Sequence, residues 1–230
     1  MVNGVETVKA GPTKDFFVSM ITRDIQLPDA IVELIDNSID GIKRQKAEKY
    51  DGYFIKVRFN KDFFEIEDNC GGISLQIAKE YAFVFGKPRS AREKEERVET
   101  TGTFGIGMKR ALFKMGQKFE IQSRAKDSSF RLSIDVIDWM GKSDWDFPLT
   151  ESDSAETNDV KICGTKITVT LLHPAISHSF EFIPFANEVI NIVQRRTNAE
   201  IINGLKITIN DIVIGGSFLT IINSDRVFPY

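Results

Sequence analysis

Three side chains within residues 32–41 have the types and the spacing to do chemistry together: Glu33, Asn37 and Asp40. Ile31, Leu34, Ile35, Ile39 and Ile42 recur at helical intervals around them, so the spacing predicts an amphipathic helix over residues 28–46. Pro28 suits its first turn, where a missing N–H costs nothing. Glu33 and Asn37 are four apart and lie one above the other on one face, with Asp40 on the same side one turn further. Carboxylate and amide oxygens stacked in this way can hold a hard cation and a water side by side. A solvated polar face is the alternative reading of the same pattern.

Three further stretches carry candidate chemistry. Asp68 leads into Gly71 and Gly72, where glycines allow a sharp turn and the approach of something flat. A buried aspartate there can accept from an exocyclic amine, as in adenine, or it can simply cap the turn. Residues 102–107, Gly-Thr-Phe-Gly-Ile-Gly, run into a helical pattern through residue 115. Backbone N–H groups of Gly105, Ile106 and Gly107 at that helix N-terminus would face an anion, and Lys109 could add a cation. The spacing is not that of a Walker loop, and the loop does not follow a strand as a dinucleotide fingerprint does. Gly164-Thr165 opens an alternating segment, and the Thr165 hydroxyl could buttress Asp68.

The elements that must position these groups are legible in outline. Residues 15–25 suit a short helix, and residues 54–59 and 63–67 alternate as strands joined by Asn60-Lys61-Asp62, a hairpin signal. Ser74 suits an N-cap for a helix over residues 75–85. Strands are expected at 118–124, 130–136 and 164–171, a polar loop-like insertion at 138–159, and a helix at 182–196. A second hairpin is expected from 205–209 and 212–214 around Asn210-Asp211. Residues 1–14 read as a loose arm or dimer strap, and 86–103, dense in Lys, Arg and Glu, as a mobile lid or a solvated linker. Runs of strands with helices between them imply an α+β fold with a mixed, mainly antiparallel sheet.

Composition narrows the class. The 230 residues fit one large domain, and 42% hydrophobic content with 18 Phe supplies a substantial core. A formal net charge of −3 does not support nucleic-acid binding through bulk charge. No apolar run approaches the ~20 residues of a membrane span, and no signal-peptide core is visible. Cys70 and Cys163 make neither a disulfide framework nor a metal cluster, so an intracellular location is expected.

In their order and gaps these pieces resemble the GHKL ATPase family, which includes gyrase B-type, heat-shock-chaperone, MutL and MORC ATPases and histidine-kinase catalytic domains. The resemblance covers residues 28–172, and its boxes correspond to Glu33 through Asp40, Asp68 to Gly72, Gly102 to Gly107, and Gly164-Thr165. It implies a Bergerat-type two-layer α/β sandwich with ATP between helices and sheet. By resemblance, Asn37 binds Mg²⁺ and Glu33 is the catalytic residue that orients or deprotonates the attacking water. Asp68 accepts from the adenine amino group and Gly72 makes room for the ring. Gly102, Thr103, Phe104, Gly105, Ile106 and Gly107 wrap the phosphates, Lys109 reaches them, and Thr165 supports the adenine network. Asp40 holds the helix to its surroundings. Two departures are visible: Cys70 stands at the usual first glycine of the second box, and Gly41 replaces a usual alanine at a helix cost of about 1 kcal/mol. The glycine loop followed by Lys109 resembles the MORC branch more than the histidine kinases.

Glu33 separates the functional classes, because histidine-kinase catalytic domains usually lack that glutamate. The resemblance implies slow Mg²⁺-dependent ATP hydrolysis coupled to lid closure and homodimerisation, or else a non-hydrolysing ATP switch. An unrelated α+β binding protein is the remaining alternative. MutL-like and chaperone-like relatives complete their sites from a following transducer domain. The chain is therefore expected to be the N-terminal module of a longer protein, or a subunit that needs a partner.

Overall fold

The computed structural model describes residues 10–85 and 106–217. Helix α1 (Lys14–Arg23) is capped by Thr13, whose hydroxyl accepts from the Phe16 N–H. Helix α2 (Leu27–Arg44) has Pro28 and Asp29 in its first turn and Lys43 and Arg44 in its last, charges that suit the helix dipole. Its stripe of Ile31, Leu34, Ile35, Ile39 and Ile42 is buried. Strands β1 (Phe54–Phe59) and β2 (Phe63–Asp68) form the expected hairpin, with the Asn60 side-chain oxygen accepting from the Asp62 and Phe63 N–H groups in the turn.

The remaining strands are β3 (Gly116–Arg124), β4 (Ser129–Asp135), β5 (Leu149–Asp153), β6 (Gly164–Leu172), β7 (Lys206–Ile209) and β8 (Ile212–Val213). Among the described residues they form one eight-stranded sheet in the order β5-β4-β3-β6-β2-β1-β7-β8. β1 and β7 pair in parallel and the other neighbours are antiparallel. Strand alternation sends Val57, Phe119, Ile121, Leu132, Ile167 and Val169 into the core. The intervening residues are polar and pair with one another: Glu65 with Arg58 and Lys166, and Arg131 with Glu120 and Glu151. The expected α+β two-layer sandwich with a mainly antiparallel sheet is what the chain forms. Positive φ at both Asn210 and Asp211 makes the β7–β8 turn, as the Asn-Asp pair implied.

Four segments differ from the sequence reading. The helix expected over residues 75–85 is a short α3 (Leu75–Ile77), capped by Ser74, that widens into a π-helical turn at Ala78–Ala82. Beyond it, Phe83 packs edge-on against Phe130 and Phe147, and Phe85 against Phe17, Trp145 and Phe147. Filling that aromatic cluster outweighs continuing the helix. The insertion at 138–159 contributes to the same cluster. Helix α5 (Val136–Met140), capped by Asp135, buries Trp139, and β5 forms a sheet edge whose Leu149-Thr-Glu-Ser-Asp sequence carries too little apolar pattern to announce a strand. Lys14 is fixed, not part of a loose arm: its ammonium donates to the carbonyls of Trp139 at 2.6 Å and Lys142 at 2.9 Å. After β6, the helical region divides into α6 (Pro174–Glu181), α7 (Ile183–Arg196) and α8 (Asn198–Ile202), with Phe182 between the first two. The expected lid at 86–103 and residues 1–9 of the expected arm lie outside the described residues.

Candidate functional site

Asp68 closes β2, partly buried and held by three donors. Its Oδ1 accepts from the Cys70 N–H at 2.8 Å and the Thr165 N–H at 3.3 Å, and its Oδ2 from the Ser38 hydroxyl at 2.7 Å. Burial outweighs these bonds and raises the carboxyl above its ordinary value. The strap after it is shaped by close backbone approaches. Gly72 has φ +67°, and a Cβ there would lie 2.0 Å from the Arg124 carbonyl oxygen. A Cβ on Gly164 would lie 1.9 Å from the Asp68 carbonyl oxygen, so the start of β6 rests directly on the end of β2. The Cys70 departure is accommodated on α2: its carbonyl accepts from Gln45 Nε2 at 2.9 Å and sits where a Gly41 Cβ would be, 2.4 Å away. Gly41 is therefore the partner of the altered strap.

The other end of the site is built where α2 packs on helix α4 (Gly107–Met115). Asn37 Nδ2 donates to the Glu33 carbonyl at 2.7 Å. That bond fixes which end of the amide is nitrogen and leaves the Asn37 side-chain oxygen with no protein partner among the described residues. The Glu33 carboxylate lies against Gly107, where a Cβ would come within 1.7 Å of Oε1. Its Oε2 accepts from Arg110 Nη2 at 3.2 Å. Ile106, at the N-cap of α4, makes no side-chain cap hydrogen bond among the described residues, and a helix N-terminus of this kind suits an anion. Ser38 joins the two ends, since it follows Asn37 on α2 and reaches Asp68.

The structure thus brings together Glu33, Asn37, Ile106 and Gly107 at one end of the site, and Asp68, Gly72 and Thr165 at the other. Gly102, Thr103, Phe104 and Gly105 lie outside the described residues. Two expectations need correction. Lys109 is 1% exposed, and its ammonium donates to the carbonyls of Ala82 at 2.8 Å and Val84 at 2.7 Å, so it does not point where phosphates would lie. The Thr165 hydroxyl pairs with Ser123 Oγ at 2.9 Å, and it is the Thr165 backbone N–H that reaches Asp68. Asp40, on the same side of α2, is buried, with Lys43 Nζ 4.0 Å from its Oδ1. Sequence reasoning missed Ser38, Ser123 and Arg110. Ser38 alone carried a signal, being a small hydroxyl inside the apolar face of α2.

Among the described residues, no three His, Cys, Asp or Glu side chains converge as a metal cluster. Mg²⁺ needs none where phosphates and water supply most ligands, and the unpartnered Asn37 oxygen fits that requirement. Residues 25–165 match the family of histidine kinase-, DNA gyrase B- and HSP90-like ATPases, and with more than half its length matched the chain belongs to that GHKL family. No curated protein matches the chain. Family membership supports ATP binding. No helix among the described residues is long and apolar enough to cross a membrane.

Proposed function

We propose that the chain binds ATP with Mg²⁺ and hydrolyses it slowly, with Glu33 acting on the attacking water. The observation that carries this reading is the seat of the Glu33 carboxylate, on Gly107 at the N-terminus of α4, one turn from the free oxygen of Asn37. A helix N-terminus favours a carboxylate as it favours phosphate, and this one stands where a water approaching a bound terminal phosphate would be held.

Asp68 Oδ2 accepts from the adenine amino group, and Gly72, lacking a Cβ, keeps the strap close to β3 and leaves room for the ring. Ser123 and Thr165 hold the strap in place, with Ser123 Oγ also accepting from the Ile73 N–H at 2.7 Å. The α4 N-terminus, with residues 102–105 ahead of it, faces the phosphates. Asn37 would hold Mg²⁺ through its side-chain oxygen; the ion, when bound, neutralises charge on the phosphate oxygens. Glu33 orients the water toward the γ-phosphorus and takes its proton as ADP leaves.

Lid closure over 86–103, nucleotide-dependent homodimerisation, a downstream transducer domain or partner subunit, and kinship to MORC and MutL ATPases belong to the same proposal. A non-hydrolysing switch is the second reading, favoured by the ion pair that engages Glu33. Phosphate release and ATP calorimetry on wild type and Glu33→Ala decide between them. The ATPase reading expects hydrolysis to fall by about 10²–10⁴-fold with ATP affinity within a few-fold. Equal phosphate release from both proteins removes it.

A further inference from the structure

We infer that Arg110 is a positioning residue for Glu33, one that divides the work of the two carboxylate oxygens. The inference rests on Glu33 acting on water in ATP hydrolysis. Arg110 lies three residues after Gly107 on α4, so the two share a helix face. Its Nη2 holds Glu33 Oε2 at 3.2 Å, while Oε1 is the oxygen pressed against Gly107. One oxygen is engaged and the other is presented at the helix N-terminus, where the terminal phosphate and its attacking water would sit.

Two further features support this division. Arg110 Nε is buried without a hydrogen-bond partner among the described residues, so one edge of the guanidinium is enclosed by protein and not by solvent. A carboxylate a few ångströms from a triphosphate is repelled strongly in a partly buried site, and a cation fixed behind it offsets that repulsion without occupying the water's position. Both partners are partly shielded, with side-chain exposures of 38% for Arg110 and 30% for Glu33, unlike a freely solvated surface pair. In the absence of Arg110 the carboxylate would rotate freely against Gly107, and either oxygen, or neither, would meet the water.

The test is steady-state phosphate release and ATP calorimetry on the full chain as wild type, Glu33→Ala, Arg110→Ala, Arg110→Lys and Glu33→Ala/Arg110→Ala. Arg110→Ala is expected to lower kcat by roughly 10–100-fold with KM within about threefold. Arg110→Lys recovers part of that loss, and Arg110→Ala adds nothing to Glu33→Ala. If Arg110→Ala does not melt cooperatively, Arg110→Gln and Arg110→Lys carry the comparison. Wild-type kcat in the Arg110 variants beside an inactive Glu33→Ala overturns the positioning role alone. A raised KM with kcat retained overturns it in favour of a direct phosphate contact. An active Glu33→Ala overturns the hydrolytic reading, and the positioning role with it.

Discussion

Replacing Asp68 by Asn separates recognition from folding at a single atom. Two backbone N–H groups, from Cys70 and Thr165, both point at Oδ1. In the variant they hold the amide oxygen at that position, which places the amide nitrogen where Oδ2 stood. That nitrogen then faces the adenine amino group, donor against donor. The lost bond to a charged acceptor is worth about 1.5–3 kcal/mol, and an opposed donor adds a penalty of about 1–3 kcal/mol. Together they amount to about 2.5–6 kcal/mol, or roughly 10²–10⁴-fold in affinity at about 1.4 kcal/mol per tenfold. The fold should tolerate the change, because Ser38 can turn its hydroxyl to accept and a partly buried charge has been removed. The pH dependence has a definite sign. Burial raises the Asp68 carboxyl in the folded chain, so its contribution is most favourable below the ordinary carboxylate range and is lost as pH rises through the raised value. Asn does not titrate, so the melting temperature of Asp68→Asn relative to wild type should rise with pH over that window and then level off. Calorimetry with ATP and ADP, with melts from acid to neutral pH, measures both effects. An affinity within about threefold of wild type, or a melting difference flat in pH, would refute the reasoning.

Other outcomes follow from the same coordinates. Gly72→Ala meets both a positive φ and the Arg124 carbonyl, and should cost about 2–4 kcal/mol, visible as a large drop in melting temperature. Gly41→Ala restores a residue of higher helix propensity, a gain of about 1 kcal/mol, yet overlaps the Cys70 carbonyl at a cost of about 1–3 kcal/mol. A net loss of stability is therefore expected, and a higher melting temperature would mean the strap has moved. Lys109→Met leaves the Ala82 and Val84 carbonyls without their donor and should speed hydrogen exchange across residues 78–85 far more than in β1 or β6.

The Glu33–Asn37 relation and the Asp68 turn were legible because both depend on short-range spacing: four residues on a helix, and an aspartate before glycines. The sheet was legible where strands alternate, and β5 escaped because at the sheet edge only Leu149 is even partly buried and the rest of the strand is exposed. Lys109 was misjudged for a physical reason. A lysine after a glycine loop suggests phosphate, but its direction is set by helical phase, which turns it inward beneath Ala82 and Val84 and turns Arg110 toward Glu33. Which of two adjacent cations faces the cleft depends on how α4 packs on α2, and no local pattern encodes that. Ser123 was invisible for the same reason, since its partners Ile73 and Thr165 are each more than forty residues away.

The place of β6 in the sheet bears on how the molecule comes into being. It is the strand that joins the β1–β2 hairpin to the β3–β4 hairpin, and it is encoded after both. While the ribosome is still making residues 54–135, the two hairpins have no ladder between them, and neither Asp68 nor α4 has its final neighbours. The cleft closes into shape only once residues 164–172 have emerged and zipped both sides. The segment that matches the family stops at residue 165, two residues into that strand, so a recombinant fragment cut there would carry every recognisable box and still lack the seam that makes them one site.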